Sequence, residues 1–218
     1  MINLTLTAMR STLTVSLFCA GSLLANDAKD AQAFIETELS KVYETVHDSS
    51  LSPTAKQAIL EREIRQHIAL GQMAVDTLGT QVASFNLQEF ADFSKEFQEH
   101  LLNYYLQRAA SFITEDVEVT EAIQEEETGT FIVKTLGMRK AGLFRSTASS
   151  SNQRITVEYH LEQSGVRWQI IDIVIDGVDI NSNFNSQFRA LLKRNSPQKV
   201  IDIIRERNQQ KAKDNPFQ

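Results

Sequence analysis

An α+β fold, with helices laid on one face of a curved antiparallel sheet, follows from three features of this 218-residue chain. The first half places apolar residues at three- and four-residue steps, the spacing of amphipathic helices. From Val117 the apolar period drops to two, the spacing of strands. After Ile180 the helical spacing returns. Helices first, then a meander, then a closing helix is the order of an α+β domain with one layer of each kind.

The elements follow in chain order. Residues 1–25 stand apart: Arg10 carries a single positive charge, Ser11–Leu24 is uncharged and largely apolar, and Ala25 precedes the polar pair Asn26-Asp27. That order describes a secretory signal peptide, because the apolar run falls short of the about 20 residues that cross a membrane. Cutting there leaves 26–218 as a single domain. It also removes Cys19, the one cysteine of the chain, so burial and not disulfides must hold the fold. Phe18 before Cys19 argues against lipoprotein processing, which wants a small residue at that place.

A first helix is expected over Ala28–Val46, with Ala31, Phe34, Ile35, Leu39, Val42 and Val46 on one face. Ser52-Pro53-Thr54 reads as the start of a second, covering Ala55–Leu70. A short third piece spans Met73–Ala83. Asn86 with Glu89 three residues on forms a capping box that opens the longest helix, Leu87–Phe112. About four strands follow: one at Val117–Val119, one at Phe131–Thr135, then Ile155–Glu162 and Arg167–Ile180, the last two joined by a tight turn at Gln163–Val166. Ala190–Arg207 closes the chain as a basic helix.

Composition removes whole classes of function. A net charge of −6 opposes nucleic-acid binding, which rests on phosphate neutralisation. His47, His67, His100 and His160 are scattered without metal-ligand spacing, most of them expected at the surface. There is no Gly-x-Ser-x-Gly and no phosphate-binding glycine loop. The stretch from Asp179 briefly resembles a calcium loop but has Phe184 where Gly belongs and Ala190 where Glu belongs. Asp172 and Asp176 share a strand face and are expected to face water, the ordinary state of carboxylates.

Two apolar surfaces remain to be matched. The long helix carries Phe90, Phe93, Phe97, Leu101 and Tyr105 as a broad stripe. The strands offer Val157, Tyr159 and Leu161, and Ile171, Ile173 and Ile175 alternate on the last of them, with Trp168 at its start. A filled core and an open cleft both fit this pattern. A small pocket enzyme built on Asp172, Tyr159 and His160 also remains open, although alternation puts Tyr159 and His160 on opposite faces. So does an interaction module with a solid core.

The C-terminal third resembles the MlaC family of periplasmic phospholipid-binding proteins, also called the toluene-tolerance family. The likeness rests on Gly165, Trp168, Asp172, Asp176-Gly177-Val178, Phe184, Gln187-Phe188 and the run Lys199–Ile204, with Leu78-Gly79 and the Phe93, Phe97, Leu101, Tyr105 spacing further back. Asp179 stands where the family usually has Ser, and Asn185 where Arg is common. The resemblance implies a monomeric periplasmic carrier with no cofactor, metal or catalysis. Its partners are a phospholipid, an inner-membrane ABC transporter with its substrate-binding ring, and an outer-membrane lipoprotein–porin complex. On this reading the acyl chains lie between the long helix and the sheet. Phe90, Phe93, Phe97, Leu101 and Tyr105 line one side. Phe131, Val133, Val157, Tyr159, Leu161, Trp168, Ile171, Ile173 and Ile175 line the other. Arg139, Lys140 and Arg145, in a basic loop, join Arg189 and Lys193 in meeting the headgroup or a partner.

Overall fold

The computed structural model describes residues 20–110, 117–139, 153–165, 167–211 and 215–217. Among these residues, six α-helices and a five-stranded antiparallel sheet make up the α+β architecture. Most of the expected signal peptide and the Lys140–Arg145 stretch of the basic loop lie outside the described residues. Among those residues no helix is long and apolar enough to cross a membrane.

Local signals set most boundaries. Helix α1 runs Ala20–His47. Helix α2, Pro53–His67, starts where Ser52, in extended backbone, accepts the Ala55 N–H on its hydroxyl and Pro53 occupies the first turn. Helix α3, Leu70–Leu78, stops at Gly79, whose φ of 51° few side chains tolerate, and a 3-10 turn carries the chain to Ser84. Helix α4, Leu87–Ala110, opens on the reciprocal capping box: Asn86 N–H to Glu89 Oε2 and Glu89 N–H to Asn86 Oδ1, both 2.9 Å.

Strands β1 (Glu118–Gln124), β2 (Phe131–Arg139), β3 (Gln153–Ser164) and β4 (Arg167–Ile175) form a simple meander. Two corrections to the sequence reading appear at its edge. Asp176 and Gly177 both take positive φ, 49° and 77°, and turn the chain back. Val178–Asp179 then pairs with Val174 and Ile175 as a fifth strand, β5. Arg139 belongs to the end of β2, paired with Gln153, and not to the loop.

The closing helix is two. Helix α5, Ile180–Leu192, is capped by Asp179, which accepts the Ser182 N–H at 2.6 Å. Helix α6, Pro197–Lys211, begins afresh at a proline that cannot continue a preceding helix.

The helices form a layer whose buried side chains share one core with those of the sheet. Helix α4 packs on α2, α3 and α6, while α1, α2, α3 and α5 are the elements that touch the sheet. The middle of the α4 stripe, Phe93, Phe97 and Leu101, therefore looks into the helical layer. Phe97, fully buried, stacks on Phe93 and meets Phe184 and Phe188 of α5 edge-on at 5.1 Å. Most of the histidines are expected at the surface, but His100 is buried beside this cluster, its Nδ1 3.2 Å from Asn208 Oδ1. Burial and the charge of Lys211 pull its pKa down to about 4. Arg205 of α6 adds a 2.8 Å ion pair to Glu96 of α4.

Phe97→Ala should therefore remove stability and little else. The expected loss is about 3–5 kcal/mol, the ordinary cost of deleting a fully buried aromatic ring. Urea unfolding checks it: the midpoint should fall with an unchanged slope, and a loss below about 1 kcal/mol would contradict the packing described.

Candidate lipid-binding site

A cavity of about 710 Å³ lies between the two layers, within the range of small-molecule sites. Its sheet wall consists of Ile155, Val157 and Tyr159 from β3 and Ile170, Ile173 and Ile175 from β4. The helices contribute Ile35, Leu39 and Val42 from α1, Ile64 and His67 from α2, and Tyr104, Tyr105, Arg108 and Ala109 from the last turns of α4. Ile68, just past α2, completes the floor. Asp176, Val178 and Asn183 border the cavity and are exposed, so it meets solvent beside the β4–β5 turn.

Register explains which side chains face inward. Tyr159 pairs with Ile173 and Val157 with Ile175 across β3 and β4, so these point to one face. A bulge then interrupts the ladder: His160 pairs with Asp172, but Leu161 pairs with Ile170, and Ile171 is the extra residue. The alternation Ile171, Ile173, Ile175 is thereby broken, and Ile170 takes the inward place expected of Ile171. The Ile170 carbonyl accepts the Ala69 N–H at 2.9 Å, and Ile68 bridges to Ile170, so the bulge is stitched to the end of α2.

Of the fourteen residues expected to line a cavity, five do: Tyr105, Val157, Tyr159, Ile173 and Ile175. Phe93, Phe97 and Leu101 are fully buried in the helical core, and Phe90 borders a shallow groove on the outer side of α4. Val133 and Leu161 are fully buried in the packed core, and Phe131 meets Trp168 edge-on at 4.9 Å. Missed were the α1 and α2 residues, whose apolar stripes were legible but whose partner surface was not. Arg189 and Lys193 are exposed on and just after α5.

Polar groups at the cavity are few and specific. The Arg108 guanidinium sits over the Tyr104 ring, 3.1 Å from its centroid, and donates to the Tyr104 carbonyl. The Tyr105 hydroxyl is directed at Met73 Sδ at 3.8 Å, and burial keeps it protonated well beyond the usual phenol range. Glu38, Glu63 and His67 come together at one edge, with ligand atoms within 4.8 Å of one another, a donor set of the kind that metals accept. The signal for it was the four-residue step from Glu63 to His67, which puts both on one face of α2.

Tyr159 faces the cavity, whereas His160 and Asp172 pair with each other on the opposite face of the sheet. The three candidate acid–base residues of an enzyme are thus divided between two sides. Asp172 is also not the solvated carboxylate expected. It is half-buried near Asp179, and burial together with that second carboxylate raises its pKa to about 7.

A raised acid binds its proton more tightly in the folded chain. Its stability contribution is therefore complete below about pH 4 and is lost as pH rises through 7. His100 works in the opposite sense, losing stability as pH falls from 6.5 through 4. Asp172→Asn isolates the first effect: the variant should gain stability relative to the parent between pH 5 and pH 8 in denaturant unfolding. A difference that does not change with pH would contradict this assignment.

Comparison with known proteins agrees with this architecture. The family described as MlaC protein matches residues 36–206. Curated protein sequences give no match. Among solved structures, the phospholipid-binding protein from Ralstonia solanacearum, in complex with a phospholipid, shares the fold. The TM-score is 0.64 at 16% identity, over 84% of this chain and 98% of that one. With the family matched over most of its length and the two-layer fold in place, this chain belongs to the MlaC family.

Proposed function

We propose that this protein is a periplasmic phospholipid carrier that holds acyl chains in the cavity between the helical layer and the sheet. Residues 1–25 serve as its signal peptide, and 26–218 form the mature carrier. The observation that carries the reading is the cavity: an apolar space walled by isoleucines, tyrosines and valines, open near charged residues at its rim. The structural relative from Ralstonia solanacearum, itself in complex with a phospholipid, supports it.

The physics makes such a carrier necessary. Each CH2 taken from water is worth about 0.8 kcal/mol, so two acyl chains in water represent a cost on the order of 20 kcal/mol. A lipid moves between membranes only if it exchanges one apolar surround for another. The cavity provides that surround, and release is confined to docking at a membrane partner. The partners on this reading are an inner-membrane ABC transporter with its substrate-binding ring and an outer-membrane lipoprotein–porin complex. The exchange between them maintains outer-membrane lipid asymmetry. Arg108 at the cavity wall and the exposed Arg189 and Lys193 are the basic groups that meet headgroup or partner, together with Arg139, Lys140 and Arg145.

Mass spectrometry of organic extracts from the purified chain tests the reading. Co-purifying phospholipid is expected, and a clean extract with no binding on reconstitution would overturn it. Ile173→Trp, which fills the cavity from the sheet side, should weaken phospholipid binding by more than about tenfold. Phe97→Ala, away from the cavity, should leave binding by the folded fraction unchanged. Equal losses in both variants would remove the cavity from the account.

A further inference from the structure

We infer that Glu38, Glu63 and His67 form a binding site for one divalent transition-metal ion, zinc by its donor set, at the edge of the cavity. Two helices bring them together: Glu38 from α1, and Glu63 and His67 one turn apart on α2. The carboxylates are largely withdrawn from water, with side chains 13% and 17% exposed. His67, 17% exposed, has an Nε2 that makes no hydrogen bond and has almost no solvent contact. It lies 3.6 Å from Glu38 Oε2 and 3.7 Å from Glu63 Oε2, too far for hydrogen bonds.

Those separations have the size that a shared ion dictates. Zinc binds nitrogen and carboxylate oxygen at about 2.0–2.2 Å, and two ligands of a tetrahedral centre then stand about 3.4 Å apart. Two exposed cations also meet the carboxylates: Lys41 Nζ lies 2.7 Å from Glu38 and 3.8 Å from Glu63, and Arg62 Nη2 lies 3.3 Å from Glu63 Oε1. Neither supplies a partner to His67 Nε2, which stands without a hydrogen bond beside the two Oε2 atoms. Lys41 can swing into solvent when the ion enters. Two carboxylates and one imidazole give three ligands, the number found in zinc sites that keep an open position. Since all three residues border the cavity, that position is available to water or to an anionic oxygen there.

Titration of the metal-stripped full chain with Co2+ alone, followed by visible absorption, tests the site without lipid. The expected result is one equivalent bound, with the intense bands of a four-coordinate centre, displaced by Zn2+. Glu63→Gln and His67→Gln should each weaken binding by at least about tenfold. Lys41→Ala, at an exposed position, should bind more tightly than the parent because a competing charge is gone. A purely structural ion-pair cluster predicts no Co2+ binding in either the parent or Lys41→Ala, and that result would overturn the inference. So would binding left intact in both Gln variants. Circular dichroism of each variant in EDTA establishes that it is folded, and Glu38→Gln replaces any that is not.

Discussion

The aromatic lock between α4 and α5 is the constraint on which the rest of the molecule depends. Phe93 and Phe97 on one helix close against Phe184 and Phe188 on the other, ring centroids 5.1–5.2 Å apart where they touch. These rings bury one another within the helical layer, in a core that continues into the sheet through Phe131, Val133 and Leu161. The cavity lies where β3 and β4 face residues of α1, α2 and the last turns of α4.

The hollow also needs a wall of the right face, and a local irregularity supplies it. Without the bulge at Ile171, strict alternation would carry Asp172 and Ile170 to the same face of the sheet. The extra residue lets Ile170, Ile173 and Ile175 all border the cavity while Asp172 turns to the other side beside His160 and Asp179. The Ala69 N–H bound to the Ile170 carbonyl then ties the bulge to α2. One inserted residue thus joins strand, helix end and cavity floor. On the reading proposed above, the same wall is the surface that lipid chains meet.

How much of this was legible beforehand depends on whether the signal was local. The capping box at Asn86 and Glu89, the start at Ser52-Pro53 and the alternation of Ile155–Leu161 are encoded by neighbours in sequence, and the structure repeats them. The two-layer architecture followed from the order of the periods. What failed was relational. A stripe such as Phe93, Phe97, Leu101 says that a helix is buried on one side, not which layer it faces, so these residues were expected at the sheet and lie in the helical core. A bulge leaves no mark in an apolar run, so Ile171 was misassigned and Ile170 overlooked. Burial of a polar side chain is equally hidden, as His100 and Asp172 show. Glu38 meets Glu63 and His67 only through the packing of α1 on α2.

The central claim is that acyl chains occupy the space between the layers and not the aromatic core. Photo-crosslinking with a phospholipid bearing a diazirine near the end of one chain, followed by peptide mass spectrometry, tests it most directly. The account predicts adducts on the cavity segments, among them Val157, Ile170, Ile173 and Tyr105. Adducts concentrated on Phe93, Phe97, Phe184 or Phe188, or none on the folded protein, would contradict it.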